Sequence, residues 1–114
     1  MTFEPDVLAA ARSFGLDPAL LQAVANAEGN IVLAVQRSLP SVTTREEALR
    51  VTARSAVHAM CDWITNAGSD RVERTQSFLA FWSSRWAPVG AANDPKNLNQ
   101  NWARNVQQLW SASL

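Results

Sequence analysis

Cysteine is nearly missing from this sequence. Cys61 stands alone, so no internal disulfide can form and no cysteine cluster can hold a metal. Histidine is equally scarce: His58 is the only one, which leaves no metal site of ordinary ligand spacing and no supported Cys–His pair. No glycine-rich phosphate loop occurs. Ten basic residues, nine of them Arg, balance ten acidic ones, and a net charge of zero argues against a nucleic-acid binder working by bulk charge. No apolar run approaches the length of a membrane span. The start, Met1-Thr2-Phe3-Glu4-Pro5-Asp6, is acidic and lacks the basic region of a secretory signal. Synthesis in the cytoplasm is therefore expected, with any action outside depending on another delivery route. Cys61 sits among apolar neighbours in sequence and is expected to be a buried thiol.

What the chain does have is helical periodicity. Its 114 residues suit one domain with one core and no staples. Pro5 to Phe14 forms a first amphipathic stretch, stopped by Gly15. Asp17 is a good N-cap, Pro18 suits the first helical position, and Gly29 stands where a left-handed residue would close the helix. Asn30 can cap a third helix from Ile31 to about Leu39, broken at Pro40. Residues 40–44 form a β-branched connector, with room for a turn or one short extended piece. Thr44-Arg45-Glu46-Glu47 is a capping box opening the longest helix, about Arg45 to Ala67. Its inner side is expected to carry Ala48, Leu49, Thr52, Ala56, Ala59, Met60 and Trp63, with Val57 and Ile64 beside them, which makes it the expected central strut. His58 could form an i, i+4 pair with Asp62. A fifth helix spans about Asp70 to Trp86, with Val72, Phe78, Leu79, Trp82 and Trp86 inward. A last one spans about Asn99 to Ala112, with Trp102, Val106, Leu109 and Trp110 inward. The fold class expected is all-α, a single domain over residues 1–114 with about six helices.

Two stretches resist explanation by packing alone. Leu21, Val24, Ala25 and Glu28 share one helix face, apolar until its last member. Burial disfavours a charged carboxylate, and a carboxylic acid that keeps its proton can act as a general acid. The plain alternative is a solvated Glu at the edge of the stripe. The second stretch, Ala87 to Leu98, is the longest connection and holds the turn signal Asn93-Asp94-Pro95. Trp82 and Trp86 precede it; Asn97, Asn99, Asn101, Trp102 and Asn105 follow. Flat rings and amides suit a sugar polymer, whose rings offer a C–H face and hydroxyls. Helical spacing of Trp82, Trp86, Trp102 and Trp110 equally suits a core. Trp86 and Trp102, nearest the loop, are the rings expected to show an edge to solvent.

Together the two stretches carry a resemblance. Ala23-Val24-Ala25-Asn26-Ala27-Glu28-Gly29-Asn30 resembles the Glu motif of lysozyme-like peptidoglycan hydrolases, with Gly29-Asn30 where that family more often has Ser-Gly or Gly-Gly. Arg85-Trp86-Ala87-Pro88-Val89-Gly90-Ala91-Ala92-Asn93-Asp94-Pro95 and Leu98-Asn99-Gln100-Asn101-Trp102 resemble a segment of phage-associated members. Ser41 to Ala48 is similar to the hinge entering the next helix in related glucosaminidases. The resemblance covers roughly residues 18–110. It implies a lysozyme-like domain in which Glu28 protonates the glycosidic oxygen of a peptidoglycan strand, as a muramidase or a lytic transglycosylase. Asn30, Gln36, Ser38 and Thr43 would lie near the cleft, and Trp86, Asn93, Asp94 and Trp102 would form its far wall. No cofactor, metal, nucleic acid or membrane insertion is implied; the protein would work as a monomer or as part of a phage particle, reaching the wall by virion or host-lysis delivery. Glycosidases usually need a second carboxylate, for which Asp94, Glu46 and Glu47 are the candidates. Without one, the substrate's own 6-hydroxyl would attack and leave a 1,6-anhydro end. Two other classes stay open: a non-catalytic virion or wall-binding module of the same ancestry, and a partner-binding helical bundle with an exposed apolar patch.

Overall fold

The computed structural model describes residues 2–65, 77–86 and 101–112. Among them the chain is all-α: α1 (Pro5–Phe14), α2 (Pro18–Glu28), α3 (Ile31–Gln36), α4 (Arg45–Thr65), α5 (Phe78–Trp86) and α6 (Trp102–Ala112). No helix is long and apolar enough to cross a membrane among these residues.

Local chemistry fixes the boundaries. Gly15 takes the left-handed conformation (φ 66°, ψ 27°). Its N–H and that of Leu16 then reach Arg12 and Ala11 carbonyls at 3.3 and 2.9 Å, which seals α1. Asp17 Oδ1 accepts from the Ala19 N–H at 2.9 Å, capping α2. Thr44 Oγ1 accepts from the Glu47 N–H at 3.2 Å at the start of α4. The connector between α3 and α4 resolves to a turn, with the Val42 N–H on the Leu39 carbonyl at 3.1 Å, and no extended piece forms at 40–44. Regular α3 stops at Gln36; Arg37 and Ser38 continue as a turn.

The longer α4 is a strut, as expected, packed against α1, α2, α3 and α5, and α2 is the second central element. Every residue from Ala19 to Ala25 is buried, and α2 packs against α1, α3, α4 and α6. A helix apolar on all sides belongs inside. The fully buried Leu20, Leu21 and Val24 contribute about 1.5–3 kcal/mol each. The one polar member, Gln22, is satisfied by the Glu4 backbone N–H at 3.0 Å, Glu4 Oε1 at 2.7 Å and Asn26 Oδ1 at 3.1 Å. Arg45 joins this corner through Asp6 at 2.7 Å and Glu4 at 2.9 Å. The hydrogen bond it donates to Asp6 is the main reason its guanidinium is held above the ordinary value.

On α4, Ala48, Leu49, Thr52, Ala53, Ala56 and Ala59 face the core. Arg50, Arg54, His58 and Cys61 lie on the opposite face and are exposed. Cys61 is thus an exposed thiol, not a buried one: its apolar neighbours in sequence point the other way. Ile64 and Leu109, expected to be inward, stand 63% and 37% exposed in the last turns of α4 and α6. Residues 66–76 and 87–100 lie outside the described residues. With them lie the expected starts of α5 and α6, and Val72.

Candidate functional site

Glu28 ends α2 at a sharp corner. Gly29 follows with φ 72° and ψ −59°, and the Asn30 N–H reaches back to the Glu28 carbonyl at 2.8 Å. This is a γ-turn of the strained, positive-φ kind, not the left-handed cap expected from Gly29. The reason is lack of room: Asn30 must already cap α3, its Oδ1 accepting from the Leu33 N–H at 3.1 Å. Glycine accommodates that backbone without a Cβ penalty. The outcome is that two helices meet at one residue, with the Glu28 side chain at the junction.

Two indoles converge on that side chain. Trp102 Nε1 donates to Glu28 Oε1 at 2.8 Å, and Trp86 Nε1 donates to the same oxygen at 3.3 Å. Oε2 receives no donor among the described residues. Both rings stand on a third, fully buried indole, Trp82. Trp102 meets Trp82 edge-on at 5.2 Å and Trp86 lies against it at 5.8 Å; such pairs add roughly 0.5–1.5 kcal/mol beyond area burial. Trp82 in turn donates to Ser55 Oγ on α4 at 3.0 Å. The positions of α4, α5 and α6 are thereby transmitted to one carboxyl group on α2.

Glu28 lines a cleft of about 260 Å³. Arg85 and Trp86 of α5, Arg37, Ser38 and Leu39 after α3, and Val51 and Ser55 of α4 line it with Glu28. A second, more open depression of about 350 Å³ shares Leu39, Val51, Ser55 and Arg85 with the first and adds Arg54 and His58. Arg85 is held by Asp62 at 2.6 Å and by the Phe81 ring, 4.6 Å from its guanidinium carbon.

The residues singled out from sequence divide clearly. Glu28, Ser38 and Trp86 share the cleft. Trp102 is 7% exposed and does not show the solvent edge expected of it; it lies behind Glu28 and orients it. Asn30 is a helix cap, Gln36 is half-buried on α3 and Thr43 is exposed in the connector; none of these lines the cleft. Asn93 and Asp94 lie outside the described residues. Glu46 and Glu47, at the start of α4, are exposed and do not line the cleft, and among the described residues Glu28 is its only acid. Asp62 binds Arg85 across helices. Arg37 and Ser55 escaped the sequence reading, and Arg85 entered it only as the first residue of the 85–95 segment. Among the described residues no group of His, Cys, Asp and Glu could hold a metal ion. No family model, curated protein or solved structure matches the chain.

Proposed function

We propose that the protein cleaves the glycan strand of peptidoglycan, with Glu28 as general acid. One observation carries the reading: both indole N–H groups fall on Oε1 of an acid that lines a cleft, and Oε2 has no donor among the described residues. A protonated carboxyl has one accepting oxygen and one O–H. Two donors occupy Oε1 and leave Oε2 as the oxygen available to a ligand. That is the arrangement a general acid needs. The resemblance of residues 23–30 and of the segments 85–95 and 98–102 to lysozyme-like hydrolases supports the same assignment.

The reaction then runs as follows. Glu28 Oε2–H gives its proton to the glycosidic oxygen. The C1–O bond breaks, its electron pair staying with the departing alcohol. The cation at C1 is captured by an oxygen nucleophile, whose proton returns to Oε2. With Glu28 the only acid in the cleft among the described residues, the route needing one carboxylate is favoured: the sugar's own 6-hydroxyl attacks, leaving a 1,6-anhydro end. Trp86 offers its ring beside the acid for the apolar face of a sugar.

The test is digestion of purified sacculi by the wild type and by Glu28→Gln, with mass analysis of the fragments. Anhydro-ended fragments from the wild type alone support the proposal. Reducing ends alone would replace the 6-hydroxyl by water. Wall binding without any fragment release would make the protein a non-catalytic wall-binding module.

A further inference from the structure

The groove beyond Glu28 is cationic, in a chain whose net charge is zero. The two depressions are neighbours that share Leu39, Val51, Ser55 and Arg85 as lining. Among the described residues three arginines line them, Arg37, Arg85 and Arg54, against one acid, Glu28. Arg85 is neutralised by Asp62. Arg37 and Arg54 have no ion-pair or hydrogen-bond partner among the described residues, and both are exposed. Elsewhere Arg45 has both Glu4 and Asp6, while Arg12 and Arg50 are exposed and appear in no described ion pair. The guanidiniums of Arg37 and Arg54, one lining the cleft with Glu28 and one lining the second depression, each present a planar fork of donors suited to a carboxylate.

We infer that this groove selects a glycan whose sugars carry free carboxylates, with Arg37 and Arg54 as the residues that recognise them. The inference rests on reading the Glu28 cleft as a glycan site. It names what that reading leaves open: a carboxylate-bearing strand is taken and a neutral amino-sugar polymer is refused. Apolar Leu39 and Val51 lie between the charges, where the C–H faces of the sugars would run. Arg85, tied to Asp62 and Phe81, is a fixed part of the lining of both depressions.

Binding is measured on the full chain carrying Glu28→Gln, so that strands stay intact. The probes are solubilised glycan strands stripped of their stem peptides, so that the lactyl carboxyls of the sugars are free, and the same strands with those carboxyls capped as methylamides. Capping is expected to weaken binding by roughly tenfold or more, and added Arg37→Gln or Arg54→Gln each by roughly three- to tenfold on uncapped strands only. Both arginines are exposed and unpaired among the described residues, so thermal melts of these variants should match the parent. Equal binding of capped and uncapped strands, or unchanged binding in both arginine variants, overturns the inference while leaving Glu28 chemistry intact. Lysis by Glu28→Gln equal to that of the wild type, with charge-dependent binding retained, overturns the acid assignment alone. No binding to either strand overturns both.

Discussion

Trp102 Nε1 lies 2.8 Å from Glu28 Oε1, joining residues 74 positions apart in the chain. The bond ties the first turn of α6 to the last turn of α2, the two ends least able to hold their own geometry. Trp102 is buried and Glu28 half-buried, so the bond is shielded on one side only. It therefore both staples the fold and aims the acid.

Trp102→Phe keeps a ring in place but removes the N–H and leaves a small void. A loss of about 1–3 kcal/mol is expected, read as an earlier urea midpoint. Glu28 then keeps only the longer bond from Trp86. Wall lysis, measured well below the melting temperature, should fall by more than the unfolded fraction explains. Trp86→Phe, which removes the weaker bond, should cost less stability.

Gly29→Ala tests the corner. A Cβ built there meets nothing within 4 Å, so any cost is in the backbone, at φ 72°. Such conformations cost about 1–3 kcal/mol in a non-glycine residue. Equilibrium denaturation should show that loss, together with reduced lysis, because relaxing the γ-turn re-aims Glu28.

Asp17→Ala separates fold from site. Asp17 caps α2 through Oδ1 and accepts from Trp110 Nε1 at 3.1 Å through Oδ2. Losing the cap alone costs about 0.5–2 kcal/mol. The melting temperature should drop while lysis per folded molecule stays unchanged, since Asp17 lies at the other end of α2 from the acid.

Much of this architecture was legible because it is local. Asp17-Pro18, Gly15 and the Thr44 capping box each specify a helix end through their own backbone chemistry. The Leu21–Val24–Ala25–Glu28 stripe located the acid because its members recur on one helix face over about two turns. Long-range facts were not legible. Spacing placed Trp102 inward on a helix, yet nothing in spacing says that its N–H meets Glu28. Arg37 and Arg85 look like ordinary surface arginines in sequence; only the packing of α3 and α5 on α4 brings them to one cleft. Cys61 misled because sequence neighbours were taken for spatial ones. Seven consecutive buried residues from Ala19 to Ala25 mark α2 as a core helix.

Ser55→Ala probes the support beneath the site. The Trp82 indole is fully buried and donates to Ser55 Oγ. Removing the acceptor leaves a buried N–H unpaired, at about 1–3 kcal/mol. The near-ultraviolet tryptophan signal should change along with the denaturation midpoint.

The most direct measurement is the rate of sacculus lysis by wild type and Glu28→Gln under identical conditions. Glutamine retains an oxygen to accept the two indole N–H groups, so the melting temperature should be nearly unchanged. The rate should fall by roughly 100- to 10,000-fold, the usual contribution of a general acid. A Glu28→Gln protein that lyses walls at the wild-type rate would contradict the account.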